Sequence, residues 1–508
     1  MRAACPGEPA STRYDCPVTI SLPVLAQASG FPPEAKEHCG VFAIWGEPEP
    51  ARHAYFGLVA LQHRGQESAG IAVTNGSLIE RHAAMGLVSS VFSANELSGL
   101  DAHTTSVPPS RIGAIGHNRY STTGSSIERN AQPFVGHYSG GQVAIGHNGN
   151  IVNALALRKR LEEAGHAFHT SSDTEVVLHL LASCASAGSD DPLADALRQL
   201  QGAFSLVFLF EDRIEIARDP WGWRPLTVGV LPSGSPAAAS EDVALHVIGA
   251  EVVRDVEPGE IVTLSADGIS ARRFAPPASP LAQCVFEHVY FASPASRIFG
   301  QTVQRIRERL GARLAEEAPV PADLVMAMPD SGRSAATGYA VASDIPYREG
   351  IIPNRYVGRT FIKPTDDERA TAVRLKLNII SDVVRGQRCI VVDDSIVRGT
   401  TTRTKMDQLR AAGAREIHLR IASPPIRHPC YFGVDFPDRR QLVAAERNVE
   451  QIRRMLNVDT LHYLTLDGLL DVVATGERPA ADYCTACYSG KYPIEVPEGI
   501  DKNAMNCC

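Results

Sequence analysis

The strongest chemical signal in the chain is the run IVVDDSIVRGTT at residues 390–401. An apolar strand ends in two carboxylates, Asp393 and Asp394, and a loop with Ser395, Arg398 and Gly399 leads into Thr400 and Thr401. Backbone N–H groups and hydroxyls at the start of a helix suit a phosphate. Two adjacent acids do not face an anion unaided, and they fit a site that also holds Mg²⁺ or a ribose diol. A capped helix after an acidic turn would explain DD and GTT alone, but not the whole run. Nearby, residues 354–378 carry Arg355, Arg359, Lys363, Arg374 and Lys376. Elsewhere that would be a solvated basic face. Beside a phosphate site it reads as a lid that brings cations to the anion and excludes water.

Two sets of cysteines also carry chemistry. Cys39 opens the apolar run CGVFAIWG, where a buried structural cysteine is the ordinary reading. Cys284, Cys430, Cys484 and Cys487 end as C-x-x-C, which admits a redox pair, zinc or an iron–sulfur cluster. Spacing does not separate zinc from a cluster, because both accept four thiolates.

These groups need elements to hold them. Residues 1–38 are rich in Pro, Ala and Ser and read as a leader without sustained period. From Cys39 to about 275, short β-rich runs alternate with helical stretches such as TEVVLHLLASCA, an α+β layered pattern. APPASPL at 275–281 reads as a linker, and from 282 to 508 the order becomes strand, loop, helix, strand. The spacing predicts a strand at 389–393, a helix at 400–412 stopped by Gly413, and a strand at 416–421, hence a parallel sheet.

Composition bounds the function class. The 508 residues suffice for two or three domains, and apolar content of 44% is that of a globular protein. A formal net charge of −8 argues against non-specific nucleic-acid binding. No apolar run is long enough for a transmembrane helix, and prolines interrupt the mildly apolar stretch at 17–28. Eleven widely spread cysteines favour a reducing compartment, read as the cytoplasm.

Beyond the residues themselves, two resemblances stand out. LQHRGQESAGI (61–71), GHNRYSTTG (116–124), GHNGNIVN (146–153) and SSDTEV (171–176), in this order after CGVFAIWG, resemble the glutaminase domain of class II glutamine amidotransferases. That resemblance implies an N-terminal nucleophile hydrolase fold, a four-layer αββα sandwich. It implies Cys39 as nucleophile, with its own α-amino group as base once residues 1–38 are removed. Asn148 and the Gly149 N–H would form the oxyanion hole. Arg119 would pair with the glutamine α-carboxylate and Asp173 with its α-ammonium, with Arg64 and Thr122 lining the pocket.

The run at 390–401 resembles the signature of type I phosphoribosyltransferases, an α/β fold. It implies Asp393 and Asp394 near ribose and Mg²⁺, residues 395–401 around the 5-phosphate, Arg359 in the lid, and Ser331 of MPDSG helping to bind the metal. CVFEHVYFA (284–292), SPPIRHPCYFG (423–433) and YCTACYSGKYP (483–493) resemble the iron–sulfur, propeptide-bearing branch of the glutamine phosphoribosylpyrophosphate amidotransferases. In that branch the four cysteines ligate a [4Fe-4S] cluster, expected once per subunit, like Mg²⁺. Tyr290 would lie near an internal ammonia passage and the ribose site. The implied reaction consumes glutamine and phosphoribosyl pyrophosphate and makes phosphoribosylamine, in a homotetramer inhibited by purine nucleotides, with no nucleic-acid or membrane partner.

Three positions depart from the family pattern: Ser293 and Ala295 where an arginine and an aspartate are usual, and Pro353 where a lysine is usual. The phosphoribosyl signature disfavours a sugar isomerase or ATP-dependent synthetase partnered with the same glutaminase half. An intact nucleophile disfavours a non-catalytic nucleotide-binding regulator, and a salvage phosphoribosyltransferase would have no use for the first half.

Overall fold

A computed structural model describes residues 39–120, 127–354, 377–435 and 439–497. The expected leader, Thr122, Arg359 and the other lid cations lie outside the described residues. The first half contributes β1 (Gly40–Trp45), β2 (Ser68–Thr74), β3 (Ile79–Met85), β4 (Gly113–Arg119), β5 (Phe134–Tyr138), β6 (Gly141–Ile151) and β7 (Gly202–Phe210). It continues with β8 (Ile214–Arg218), β9 (Thr227–Val230), β10 (Pro236–Ala239), β11 (Glu251–Asp255), β12 (Glu260–Ser265) and β13 (Gly268–Arg273). These form a seven-stranded sheet, β11-β9-β10-β1-β4-β2-β3, and a six-stranded sheet, β13-β12-β8-β7-β6-β5.

Alternation along two strands shows why the layers stack. In β1, Phe42 and Ile44 pack with Ala51, Ala54 and Leu58 of the helix Pro50–Ala60, while Val41, Ala43 and Trp45 face the other sheet. In β7, Val207 and Leu209 enter that same inter-sheet core, and Phe204, Leu206, Phe208 and Phe210 pack under Val176, Val177, Leu180 and Leu181 of the helix Asp173–Ser186. Side chains on a strand point alternately to opposite faces, so a run apolar throughout is stable only when both faces are covered. Each Val, Leu, Ile or Phe among them contributes about 1.5–3 kcal/mol on burial. The result is helix, sheet, sheet, helix, the four-layer sandwich expected from the resemblance.

The second half contributes β14 (Gln283–Cys284), β15 (Arg297–Ile298), β16 (Gln301–Thr302), β17 (Leu324–Ala327), β18 (Ile351–Pro353), β19 (Leu377–Ile379), β20 (Arg388–Asp393), β21 (Glu416–Ile421), β22 (Thr460–Tyr463) and β23 (Tyr483–Cys484). β17, β20, β21 and β22 form a parallel sheet in the order β17-β20-β21-β22. β20, the helix Thr400–Ala411 and β21 match the anticipated βαβ unit to within one residue at each end. Cys389 lies in the core of this sheet. The helices Val303–Glu317 and Arg333–Ser343 touch backbone to backbone, because a Cβ on Gly311 would meet Ala335 O at 1.8 Å and one on Gly338 would meet Glu308 O at 1.8 Å. Residues 275–281 do not run free between the halves: Ala278 N donates to Pro220 O at 2.8 Å. Among the described residues no helix is long and apolar enough to cross a membrane.

Candidate active site

Cys39 immediately precedes β1 and is buried. Its neighbour Gly40 pairs with Asn118 of β4, so the strand that ends in Arg119 runs beside it. The thiol lies 3.4 Å from the Tyr120 carbonyl. Burial pushes it up to about 11, against the pull of the Arg119 guanidinium and with the Asp173 and Glu67 carboxylates adding to the rise. Arg119 Nη1 pairs with Glu67 at 3.3 Å. Asp173 opens its helix behind the N-cap Ser172. It accepts a hydrogen bond from Ile151 N at 3.0 Å and lies 3.6 Å from His147 Nδ1. Burial alone would raise the Asp173 carboxyl, but His147, the Ile151 N–H and the Thr174 hydroxyl hold it below its ordinary value.

Asn148 and Gly149 lie on β6, which pairs with β7. Asn148 is fully buried; its Nδ2 lies 3.5 Å from Ser240 Oγ, and its Oδ1 has no hydrogen-bond partner among the described residues. Gly149 has φ +153°, and a Cβ there would come within 2.0 Å of Ala203 O. Only glycine lets these two backbones approach so closely. Arg64 meets Cys39 through the main chain: its Nε donates to Cys39 O at 3.1 Å. The rest of its guanidinium is buried against Glu241 at 2.5 Å and Glu287 at 2.8 Å.

In the parallel sheet, Asp393 ends β20 and Asp394 begins the loop, both buried. Asp394 N donates to Asp393 Oδ1 at 3.0 Å, and Ser395 Oγ donates to Asp394 Oδ1 at 2.5 Å. Burial raises the Asp394 carboxyl against hydrogen bonds from Ser331 and Ser395 and the positive charge of Arg307. Ser331, after β17, thus reaches the acidic pair after β20, across adjacent parallel strands. Gly399 caps the helix Thr400–Ala411 with φ +79°. Arg398 pairs with Gln441. The cluster of buried acids, hydroxyls and a helix N-terminus at the carboxyl ends of parallel strands is where α/β sheets bind ligands.

Between these two sites lies a single π-helical turn, Glu287–Phe291, carrying Tyr290. Arg307 holds it, donating to His288 O and Ala292 O at 2.8 Å each. Burial lowers Arg307 to about 10 against the nearby Asp394, Glu241, Tyr290 and Glu287. One side chain therefore feels both the acidic pair, through Asp394, and the two carboxylates that hold Arg64, Glu241 and Glu287.

The four cysteines converge although they come from distant segments. Cys284 and Cys484 are opposite each other in the parallel pair β14–β23. Burial raises Cys284 to about 11 and Cys484 to about 12, and it raises Cys430 and Cys487 too. Cys487 is raised further by the charges of the other three. Trp223, Phe432 and Tyr492 pack beside Cys430 and Cys484, and Phe286 and Tyr488 cover the other members. Among the described residues no three His, Cys, Asp or Glu side chains converge as ligands of a single ion would. A four-iron cluster spaces its thiolates more widely than one ion does, and four free thiols, Cys284 and Cys487 buried and Cys430 and Cys484 partly so, in an aromatic shell fit that soft donor set.

Several functional contacts escaped the sequence reading. Ser240 Oγ accepts from Val41 N at 3.0 Å and also meets Asn148. Glu241 accepts from Ser293 N at 2.9 Å and Ser296 Oγ at 2.6 Å, so the segment with Ser293 and Ala295 is gripped by the first half without the usual arginine and aspartate. Pro353 ends β18, opposite Leu377. Glu287 and Arg224 are buried charges, the former set in the apolar run CVFEHVYFA. A lone acid in such a run signals a buried ion pair, although not its partner.

Residues 117–247 match the family of glutamine amidotransferase domains. Over 506 residues the chain is 44% identical to an amidophosphoribosyltransferase of Synechococcus elongatus, covering 98% of each. It is 46% identical over 485 residues to one from Mycobacterium tuberculosis, covering 92% of this chain and 89% of that relative. Among solved structures, the glutamine phosphoribosylpyrophosphate amidotransferase of B. subtilis, complexed with ADP and GMP, matches with a TM-score of 0.83 and 42% identity, over 91% of this chain and 98% of its own.

Proposed function

The chain belongs to the amidophosphoribosyltransferase family, and from that premise we propose how its residues divide the work. The enzyme catalyses the glutamine-dependent amidation of phosphoribosyl pyrophosphate, the first step of purine biosynthesis. Cys39 is the nucleophile. The observation that carries this assignment is geometric: a buried thiol at the head of β1, 3.4 Å from the Tyr120 carbonyl and beside the strand that ends in Arg119. A thiol held at about 11 is protonated at neutral pH and needs a base. Cleavage between His38 and Cys39 supplies one on the same residue, an α-amine with a pKa of about 8. Arg119 binds the glutamine α-carboxylate and Asp173 its α-ammonium, with Thr122 in the same pocket. The α-amine takes the thiol proton as sulfur attacks the side-chain amide, giving a tetrahedral oxyanion that Asn148 Nδ2 and Gly149 N–H stabilise; its collapse to the thioester expels ammonia, which takes that proton, and water then hydrolyses the thioester to glutamate and the free thiol.

The ammonia crosses to the second site past the turn Glu287–Phe291, since Arg307 touches that turn and acts on Asp394. There it attacks C1 of phosphoribosyl pyrophosphate and displaces pyrophosphate. Asp393 and Asp394 hold the ribose hydroxyls, residues 395–401 cradle the 5-phosphate, and Arg359 draws charge from the leaving group. Asp393, Asp394 and Ser331 offer the hard oxygen donors Mg²⁺ takes, and the ion would neutralise pyrophosphate charge. Cys284, Cys430, Cys484 and Cys487 would hold a [4Fe-4S] cluster as a structural tie between the β14–β23 pair and the segment around Cys430. Seven free cysteines among the described residues support a cytoplasmic location. The B. subtilis relative complexed with ADP and GMP supports purine nucleotides as ligands of this enzyme; their role as inhibitors, and a homotetrameric assembly, belong to the same proposal.

Pyrophosphate and glutamate release from anaerobically purified protein tests the division. Asp394→Asn should abolish pyrophosphate release with either glutamine or ammonia, whereas Cys39→Ala should abolish only the glutamine reaction. Equal loss of both activities in the cysteine variant would overturn separate sites.

A further inference from the structure

A continuous chain of buried charge joins the main chain of Cys39 to the four-cysteine site. Arg64 Nε donates to Cys39 O at 3.1 Å. Its Nη1 and Nη2 grip Glu287 at 3.0 and 2.8 Å. From the other side Arg224 Nη1 donates to Glu287 Oε1 at 3.1 Å, and Arg224 Nη2 donates to Phe432 O at 2.6 Å. Phe432 N in turn lies 3.4 Å from Cys430 Sγ. Arg64, Arg224 and Glu287 have side chains with no exposure to solvent.

A carboxylate taken out of water at such cost persists only where its partners hold it with good geometry. Glu287 has two guanidinium partners, and each has a second task. One fixes the carbonyl of the residue read as nucleophile. The other fixes the backbone beside a cysteine of the metal-binding set. Neither substrate site contains Glu287: it is placed between them and touches neither the thiol nor the acidic pair directly.

We propose that Glu287 is a positioning residue for glutamine hydrolysis, which through Arg64 sets the main-chain position of Cys39 and through Arg224 makes that position depend on the four-cysteine site. The consequence is selective. The amine and carbonyl of Cys39 flank the same Cα as its thiol, so a shift at the carbonyl moves the base and nucleophile relative to the oxyanion hole. Catalytic geometry tolerates little such displacement. The phosphoribosyl site is held by its own strand ends and does not need this link.

The inference rests on Cys39 as nucleophile, so Cys39→Ala is measured alongside. Glu287→Gln keeps the shape of the side chain and removes its charge. With the processed enzyme purified anaerobically, we expect the glutamine-dependent kcat to fall at least tenfold. The KM for glutamine should change less than threefold, and the ammonia-dependent rate should stay within twofold. Alkylation of Cys39 should change in rate while visible absorbance from the cysteine site is kept. Arg64→Lys keeps the charge but not the two-pronged grip, and should give the same selective loss if Glu287→Gln does not fold. Parallel loss of both activities, or no loss of either, would overturn the proposal. Retained glutamine activity in Cys39→Ala would instead overturn the nucleophile assignment beneath it.

Discussion

The reactivity of Cys39 against pH gives a quantitative test of its burial. In the chain with His38 still ahead of it, the thiol is pushed up to about 11. At pH 7.5, roughly 3 in 10⁴ molecules then carry the thiolate, equivalent to a cost of about 5 kcal/mol. A thiol near its unperturbed value would be about one-tenth ionised, so the rate with a small neutral haloacetamide should be about 300-fold below that of a free cysteine. The rate should climb about tenfold per pH unit and keep rising through pH 10. Peptide mass spectrometry after timed quenching follows the Cys39 peptide separately from the other cysteines. Two variants check the causes. Arg119→Met removes a cation that favours the thiolate and should slow alkylation; Asp173→Asn removes an anion that opposes it and should speed it. Levelling near pH 8.5, or the two variants moving the rate in the reverse directions, would refute the reasoning.

Replacing Gly311 or Gly338 with Ala should cost about 1–3 kcal/mol, because the new methyl lies 1.8 Å from a facing helix carbonyl and the helices must part; thermal unfolding of each variant checks it. Glu175 accepts hydrogen bonds from His169 N at 2.8 Å and Thr170 N at 2.7 Å. Burial opposes its ionisation, but His179 and these donors bring it to about 2 from 4.5. Because the folded value is the lower, this contribution is present above pH 4.5 and lost as pH falls towards 2. Glu175→Gln should flatten that part of the acid-unfolding profile, read by circular dichroism. Ser240→Ala removes the acceptor for Val41 N and the contact to Asn148, and should lower glutamine turnover about tenfold while leaving ammonia-dependent turnover within twofold; parallel assays decide it.

What could be read from the chain alone was what is encoded over a few residues. The strand, acidic pair, loop and helix from Arg388 to Ala411 are one local unit, and apolar run, turn residues and helix start are all adjacent in sequence. The same holds for the alternation in β1, whose two faces were bound to be covered because both are apolar. Residues beside a recognisable motif, such as Asn148 and Asp173, could be assigned from it. Tertiary structure decided the partners of buried charge. Arg64 and Glu287 are 223 positions apart, and no periodicity connects them. Arg64 read as a pocket-lining residue when its neighbours were known only in sequence; folding shows its guanidinium divided among Cys39 O, Glu241 and Glu287. Ser240 looked like one serine among many until β10 brought it beside Val41 and Asn148. Strand and helix patterns follow from local sterics and the side-chain period, which a sequence carries directly. The pairing of desolvated groups follows from which surfaces meet, and that is settled only when the two halves pack together.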